Sequence, residues 1–555
     1  MHQALGFHRG SITARPLRNL GRNQTVTTYC LRLAVAFGAI AALGAAALPL
    51  AAQETPKRGG TLSFAVNAEP PNYDCHASTT FALVHPIAPH YSTLLKFDAP
   101  KYPAVTGDLA ESWNVSPDGL TYSFKLRANA KFHDGSPVTS ADVKATYDRL
   151  RNPAPGVVSI RKALYEDIGT IDTPDATTVI FRLKAANASM LQTFASPWDC
   201  IYSAKKLAEN PKYPETTIFG SGPFTFVEHV RGSHWVGKRF DSYYIKDQPY
   251  LDGYKAVFIS GAAIINAIQG GQVAIEFRGQ TPAERDRLAA AMGDKLRVQE
   301  GSWTCNLVIG FNTEKKPFDD ARVRRALNMA LDRWGGAPGL SKIAIVRDVG
   351  GLLRPGYSLA ASEEELVKMP GFSKDARASR AEAQRLLKEA GQDKLKFKLT
   401  NRNIPMPYSP VGVWAIDQWR QIGIEVEHQQ LESRLYLNAL SSGNYEAGMD
   451  FNCDFMDEPN LQLLKYLSAA KSPINYGRYN DAKLDDLYEK QKRATDPKAR
   501  YALVREFERH VLDQSYTVPT IWYHRIIAHS TQVKGWYVTP SHYIHQELAG
   551  VWLAQ

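Results

Sequence analysis

An acidic stretch with aromatic neighbours has the residue types needed to bind a cation. Residues 449–460 read Met-Asp-Phe-Asn-Cys-Asp-Phe-Met-Asp-Glu-Pro-Asn: an alternating strand pattern, a short acidic loop, and Pro459 where a helix could begin. Asp454 lies between Phe451 and Phe455, so its carboxylate should be partly shielded from water and favour a positive partner. We therefore predict that Asp454 anchors an ammonium group. On local sequence alone, solvated loop and helix-cap acids are the alternative.

The sequence lacks the common enzyme motifs. It contains no Gly-x-Ser-x-Gly, no His-Glu-x-x-His, no P-loop and no dinucleotide fingerprint. The pairs His85/His90 and His542/His545 have loosely metal-like spacing without suitable companions, which favours hydrogen-bonded surface histidines. We expect a binding protein that has no catalytic residues, no cofactor and no metal; an exported hydrolase is the alternative from another class.

The length and composition of the chain indicate a soluble globular protein with several domains. At 555 residues, with 44% hydrophobic and 22% charged residues, the chain should form two or three domains. The net charge of +10 is partly due to the first 52 residues, which contain five arginines and no acid. No basic cluster alternates with aromatics, so we expect no nucleic-acid partner.

The N-terminus has the pattern of an export signal. Arginines precede an uncharged run over residues 33–53, rich in Ala and Leu, that ends in a plausible cleavage site at Ala52-Gln53. A membrane anchor is the alternative, since the run is about long enough to span a bilayer. We predict a signal peptide over residues 1–52 and a periplasmic mature protein. Export permits one or two disulfides, and three full pairings of Cys75, Cys200, Cys305 and Cys453 remain open.

Local patterns predict the elements that position these residues. The first part of the chain should form a strand at 61–66, a hairpin over 113–127 and a helix capped by Thr139 and Asp142. Further along, we expect a helix that starts at Asp319 or Asp320 and ends at Gly335-Gly336, and another that begins with a Ser379–Glu382 capping box. Strands and helices alternate over 395–440, as in an α/β lobe, and a strand pair follows over 518–528.

One long run of these elements resembles a known family. Its three segments are Glu111-Ser-Trp, Pro-Asp-Gly-Leu-Thr-Tyr-Ser-Phe-Lys-Leu-Arg and Lys-Phe-His-Asp-Gly-Ser-Pro-Val-Thr-Ser-Ala-Asp-Val-Lys. The run resembles the extracellular solute-binding proteins of the oligopeptide/dipeptide/nickel class. These are the periplasmic receptors of ABC importers. The resemblance implies an α/β, periplasmic binding protein-like fold of two hinged lobes plus an inserted third domain, with ligand enclosed when the lobes close. The domains it implies are residues 53–95, 216–310 and 521–555 for lobe I, 96–215 for the inserted domain II, and 311–520 for lobe II.

The resemblance also implies ligand-contacting residues. In peptide-binding relatives an Asp in a Trp-x-x-Asp-Tyr-like stretch pairs with the ligand's α-ammonium, and this chain has Phe451, Asn452, Cys453 and Asp454 followed by Phe455. Phe451 replaces the usual Trp. A second contacting stretch includes Cys75 and His76, which are not its usual residues. Trp522 and Tyr523 fall near the second crossover between lobes, where hinge or core packing is the alternative.

The expected partners follow from the same resemblance. They are a peptide or small organic solute and an inner-membrane ABC permease, and the protein itself should be a monomer. Receptors for an opine, a metal chelate or haem are the alternatives within the family.

Overall fold

The strands alternate with helices along most of the chain. The computed structural model describes residues 54–404 and 406–554, so the predicted signal peptide lies outside the described residues. The strands are β1 (Thr61–Val66), β2 (Leu95–Phe97), β3 (Val105–Gly107), β4 (Ala110–Val115), β5 (Thr121–Leu126), β6 (Ile168–Asp175), β7 (Thr178–Leu183), β8 (Phe224–Val230), β9 (His234–Arg239), β10 (Gly253–Phe258), β11 (Ile275–Glu276), β12 (Leu296–Phe311), β13 (Val346–Asp348), β14 (Lys396–Arg402), β15 (Glu425–Leu431), β16 (Ala447–Cys453), β17 (Thr517–Ser530), β18 (Val533–Lys534) and β19 (Trp552–Leu553).

The helices are α1 (Phe81–Ile87), α2 (Ser140–Arg151), α3 (Met190–Thr193), α4 (Ala204–Glu209), α5 (Ala262–Gln269), α6 (Pro282–Met292), α7 (Ala321–Met329), α8 (Arg333–Ile343), α9 (Glu363–Leu366), α10 (Ala376–Glu389), α11 (Tyr408–Arg420), α12 (Ser433–Ser442), α13 (Pro459–Gln462), α14 (Ala482–Arg493) and α15 (Pro497–Gln514). Within the described ranges, none of them combines the length and apolar character that a membrane span requires.

Three sheets organise the molecule. A five-stranded sheet in the order β11-β1-β10-β9-β8 forms the centre of what we call the first lobe. A four-stranded antiparallel sheet in the order β4-β5-β7-β6 forms the insert, and a six-stranded sheet in the order β13-β17-β12-β16-β14-β15 forms the second lobe. The residue boundaries predicted between these domains stay a prediction.

Two long strands connect the lobes. The first half of β12 pairs with the second half of β17, and there the Gln280 N–H of the first lobe donates to the Ile526 carbonyl at 2.8 Å. The other halves of β12 and β17 lie at the centre of the six-stranded sheet, where β16 pairs with β12. Both connections between the lobes are thus strands of the same β12–β17 pair. Any movement of one lobe relative to the other must therefore bend this pair of strands.

The hairpin and the capped helix that carry the family resemblance form as predicted. Tyr122, Phe124 and Leu126 of β5 are buried on one face. At the start of α2, Asp142 accepts a hydrogen bond from the Thr139 N–H at 2.7 Å, which completes a capping box.

The helix predicted to end at Gly335-Gly336 is in fact two helices. α7 begins after its cap Asp320 and ends at Met329, and α8 begins after Asp332, whose carboxylate accepts from the Gly335 N–H at 2.8 Å. The cap at Asp332 starts a new turn where the sequence pattern suggested an end. Gly336 is required for packing instead, because an added Cβ would lie 2.3 Å from Trp414 Nε1.

Two further local predictions are wrong. α10 begins one turn before the predicted Ser379–Glu382 box, since Asp375 caps it and accepts from the Ala378 N–H at 2.9 Å. Ser379 is buried inside that helix. The predicted strand pair at 518–528 is the single strand β17, which stays continuous because it pairs with β12 along both halves.

Candidate ligand-binding site

The backbone of Asp454 is held firmly at the end of β16. Cys453, the last residue of that strand, forms a disulfide with Cys305 of β12. The Asp454 N–H donates to the Thr304 carbonyl at 3.2 Å, and the Thr304 hydroxyl donates to the Asp454 carbonyl at 2.8 Å. Because both backbone groups are satisfied, the side chain is the group of Asp454 left to bind something else.

The carboxylate of Asp454 is half-buried without a hydrogen-bond partner among the described residues. Phe455 beside it is buried, and the Arg161 guanidinium carbon lies 5.6 Å from the Phe455 ring centre and 4.3 Å from that of Trp198. Burial raises the pKa of Asp454 to about 7, and the charge of Arg161 opposes that rise. An ionised Asp454 would therefore be stabilised by a further cation.

A second carboxylate competes for Arg161. Asp199 is fully buried and accepts a hydrogen bond from the Tyr165 hydroxyl at 2.5 Å, while its other oxygen has no partner among the described residues. Burial raises the pKa of Asp199 to about 7 as well, with Arg161 again opposing. One guanidinium thus faces two carboxylates, so the region can accept one more positive charge.

Aromatic rings extend from this acidic end. Trp198 lies 5.4 Å from Tyr543, Tyr543 lies 3.9 Å from His542, and His542 lies 5.3 Å from Trp303, measured between ring centres. Trp303 in turn contacts Tyr523 of β17 at 5.7 Å, edge to face. The rings come from the insert, the C-terminal segment and both crossing strands, so together they form a surface shared by the lobes.

Two arginines lie at the other end of this aromatic surface. The Arg278 guanidinium is 5.0 Å from the Phe81 ring, which lies 6.2 Å from His542. Arg402, at the end of β14, lies 5.7 Å from the Tyr408 ring and donates to the Ser433 hydroxyl at 2.8 Å. Burial raises the pKa of Tyr408 to about 12, and both arginines oppose the rise, which places both charges near Tyr408. The arrangement can accept an anion at this end.

A neighbouring ion pair is internally balanced. Asp450 of β16 and Lys465 are both buried and form an ion pair with each other. Burial is the main influence on both pKa values. Beyond it, Lys465 lowers the pKa of Asp454 less than Arg161 does, and Asp450 raises the pKa of Tyr408 less than Arg402 lowers it, so the site is acidic near Asp454 and basic near Arg402.

The structure brings some of the predicted site residues together. Asp454 and Tyr523 border the same aromatic surface through Tyr543 and Trp303. Phe451 is half-buried against the core of the second lobe, and Asn452 is buried, with its amide donating to the Gln462 carbonyl at 3.1 Å.

Other predicted residues are turned into the core. Trp522 is fully buried and its indole N–H donates to the Gly351 carbonyl at 3.1 Å. Cys75 forms a disulfide with Cys200. His76 is buried, with Nε2 3.2 Å from the Cys200 carbonyl, and burial lowers its pKa to about 3. Ligand contact by Trp522, Cys75, His76, Phe451, Asn452 and Cys453 stays a prediction.

Sequence reasoning missed five residues that complete the site. They are Arg161, Trp198, Arg278, Arg402 and Tyr543, which come from separate segments of the chain. A lone Arg or Trp in a loop carries no periodic pattern, and only the fold shows that these side chains converge.

The histidines were expected at the surface, and three of them are in the core. His85, His90 and His542 are buried. Burial lowers the pKa of His85 and His90 to about 3, so both are neutral at physiological pH. Each is hydrogen bonded: His90 lies 2.8 Å from the Phe224 carbonyl, and His542 accepts from the Trp303 indole at 3.0 Å. Within residues 54–404 and 406–554, no three His, Cys, Asp or Glu side chains cluster as metal ligands would.

Curated relatives are bacterial binding proteins. A Brucella ovis protein, provisionally named an ABC transporter peptide-binding protein, is 30% identical over 361 residues, 62% of this chain and 64% of the relative. The chain thus spans under two thirds of that relative's length. The di/tripeptide-binding protein 1 of Pseudomonas aeruginosa is 27% identical over 452 residues, 76% of this chain and 80% of the relative.

Solved structures show the same fold. The PBP AgaA from A. tumefaciens R10, in complex with agropinic acid, is 25% identical with a TM-score of 0.73, covering 89% of this chain and 99% of that one. DppA from Helicobacter pylori, in complex with the peptide STSA, is 22% identical with a TM-score of 0.74, covering 90% and 99%. The predicted fold class, α/β and periplasmic binding protein-like with two lobes and a further domain, is confirmed.

A sequence model of one protein family matches more than half of the chain. Residues 104–472 match the model of the bacterial extracellular solute-binding proteins, family 5. That family is one of solute-binding proteins and not of enzymes, and the resemblance seen in the sequence is confirmed. The chain belongs to the family 5 bacterial extracellular solute-binding proteins.

Proposed function

We propose that this protein is the receptor of an ABC importer and captures a short peptide or peptide-like solute in the periplasm. The ligand is enclosed between the lobes and handed unchanged to the membrane permease. The observation that carries this proposal is the half-buried Asp454 carboxylate, which lacks a hydrogen-bond partner among the described residues and lies beside aromatic rings. A ligand ammonium supplies the missing positive charge.

The opposite end of the site supports a ligand with two charges. Arg278 and Arg402 lie near Tyr408, across the aromatic surface from Asp454. A short peptide has an ammonium at one end and a carboxylate at the other, so it matches both ends. Guanidinium and carboxylate groups form strong charge-assisted hydrogen bonds, which favours a carboxylate over other acceptors.

An opine is the second candidate, and one observation favours it. AgaA, which is 25% identical to this chain, was solved in complex with agropinic acid. Agropinic acid is therefore included among the ligands to be tested.

The test uses trialanine, N-acetyl-trialanine, trialanine amide and agropinic acid in calorimetric titrations. The proposal predicts that trialanine binds and that blocking either end weakens binding by at least about tenfold. Mass spectrometry should recover the peptide intact. Tight binding of agropinic acid alone would favour the opine receptor, and cleavage of the peptide would identify a hydrolase. Equal affinity for the blocked and free peptides would contradict the proposed roles of Asp454 and the arginines.

A further inference from the structure

We propose that His542 selects the ligand by presenting a fixed, uncharged N–H donor between the two charged ends of the site. The group that it recognises is a neutral hydrogen-bond acceptor, which in a short peptide is a backbone carbonyl oxygen. The identity of this acceptor rests on the proposed function, whereas the protonation of the His542 ring is a property of the protein alone.

His542 lies in the middle of the aromatic surface. Its ring centre is 3.9 Å from that of Tyr543, which is on the Asp454 side of the site. On the other side, its ring centre is 6.2 Å from that of Phe81, and the Arg278 guanidinium lies 5.0 Å from the Phe81 ring. A ligand group that binds against His542 therefore lies between the acidic and the basic end.

One contact fixes which ring nitrogen of His542 has the proton. The Trp303 indole N–H donates to Nδ1 of His542 at 3.0 Å. An indole nitrogen can only donate, so Nδ1 must be the unprotonated nitrogen, and a neutral imidazole then has its proton on Nε2. The imidazolium ion does not fit this contact either, because its Nδ1–H would face the indole N–H. The contact with Trp303 thus selects the neutral form protonated on Nε2.

The surroundings of His542 favour the same form. Burial lowers the pKa of His542 well below its usual value, and the positive charges of Arg525 and Arg278 lower it further. The backbone of His542 is also held, since Nε2 of His85 lies 2.9 Å from the His542 carbonyl. Because a carbonyl can only accept, the His85 ring donates here from Nε2. Both the ring and the backbone of His542 are therefore fixed before a ligand arrives.

The donating nitrogen of His542 is free to bind a ligand. The residue is only 4% exposed, yet its Nε2 has no hydrogen-bond partner within the described parts of the chain and is reached by solvent. The partnerless Nδ1 of His85, by contrast, is completely enclosed. A nearly buried N–H without a partner is unfavourable, and an acceptor on the ligand would satisfy it.

An uncharged donor selects differently from the charged groups around it. Asp454 and the arginines attract the termini of the ligand, and they would attract those of any zwitterion of suitable length. The N–H of His542 gains a hydrogen bond only from an acceptor, and a ligand with methylene groups at that position leaves it unpaired. His542 therefore distinguishes a peptide from a zwitterion of equal length that has no internal carbonyl.

The test compares trialanine with ω-aminooctanoic acid, which has the same chain length between nitrogen and carboxylate and no internal carbonyl. Both are titrated calorimetrically into the parent and into His542→Phe, which keeps a ring and removes the donor. His133→Phe removes an imidazole that lies 3.1 Å from the Gly222 carbonyl, outside the aromatic surface, and is the matched control. Nitrogen NMR of histidine-labelled protein, free and with trialanine, reports the protonation of each ring, and His542→Phe identifies the signals of His542.

His542→Phe should bind trialanine about 3- to 10-fold more weakly and ω-aminooctanoic acid as the parent does, while His133→Phe should change neither affinity. In the free parent the His542 ring should be neutral and protonated on Nε2, and trialanine should shift the Nε2 signal more than the Nδ1 signal.

Equal losses for both ligands, a His542 ring protonated on Nδ1, or an Nε2 signal that trialanine leaves unchanged would overturn the inference. If trialanine does not bind the parent at all, the proposed function fails and the peptide carbonyl with it, and the spectrum of the free protein still decides whether His542 is an Nε2–H donor. Thermal unfolding of both variants checks that they are folded.

Discussion

Replacing Asp454 by Asn removes one charge and keeps the shape of the side chain. The backbone bonds to Thr304 do not involve the carboxylate, so the loop should keep its position. Losing one partner of a buried charge pair costs about 2–5 kcal/mol, and losing an exposed one costs less than about 1 kcal/mol. Asp454 is half-buried and Arg161 lies nearby, so we expect about 2–3 kcal/mol, or about 30- to 150-fold weaker binding of trialanine.

The assay is calorimetric titration of parent and variant with trialanine and with N-acetyl-trialanine. The variant should lose affinity for the free peptide and bind the acetylated one as the parent does. Asp348→Asn, which removes a carboxylate paired with Arg347 at 3.2 Å near the surface of the same lobe, is the control and should leave both affinities unchanged. An Asp454→Asn variant that binds trialanine as tightly as the parent would refute the reasoning.

Four other outcomes are expected from the structure. Burial raises the pKa of Asp454 to about 7, so the folded chain retains a proton that the unfolded chain releases near pH ~4. The free energy of unfolding of the parent should therefore fall relative to that of Asp454→Asn as the pH rises from ~4 to ~7. Denaturant unfolding of both proteins across this pH range measures the difference. Trialanine affinity should rise over the upper part of that range, as Asp454 ionises. Arg402→Gln should weaken trialanine binding by about tenfold and trialanine amide by less, in the same calorimeter. Gly336→Ala should destabilise the fold by about 1–3 kcal/mol through collision with Trp414, whereas Gly339→Ala in the same helix meets nothing within 4 Å and should not.

Most of the fold could be predicted because its information is local. The β4–β5 hairpin, the Thr139 cap and the strand–helix alternation after residue 395 each depend on residues close in sequence. The break between α7 and α8 could not be predicted so easily. An Asp that can start a helix and a Gly pair that can end one lie close together there. The close approach of Gly336 to Trp414 shows that the glycines lie inside α8 and allow packing, and this contact is not visible in the sequence.

The site could be predicted only in part, because its residues are far apart in sequence. Asp454 has a local signature in its aromatic neighbours. Arg161, Arg278 and Arg402 reach the same surface through three different chain segments, and nothing in their own surroundings marks them. The disulfides show the same limit: three pairings were open, and the fold selects Cys75–Cys200 and Cys305–Cys453 by bringing those strands and loops together.

The acidic loop joins several features that the sequence presents separately. Asp457 and Glu458 could be read as solvated loop acids, which was the alternative considered for the whole stretch. In the fold both are buried and paired with arginines. Their burial contradicts the solvated part of that alternative, although Glu458 is the residue that caps α13.

The most direct test of the central claim is a crystal structure of the protein with trialanine bound. We predict electron density for the peptide between the lobes, with its ammonium nitrogen about 3 Å from the Asp454 carboxylate and its carboxylate directed towards Arg278 or Arg402. Density for the peptide elsewhere on the molecule, or an Asp454 side chain that faces bulk water while the peptide is bound, would contradict the account.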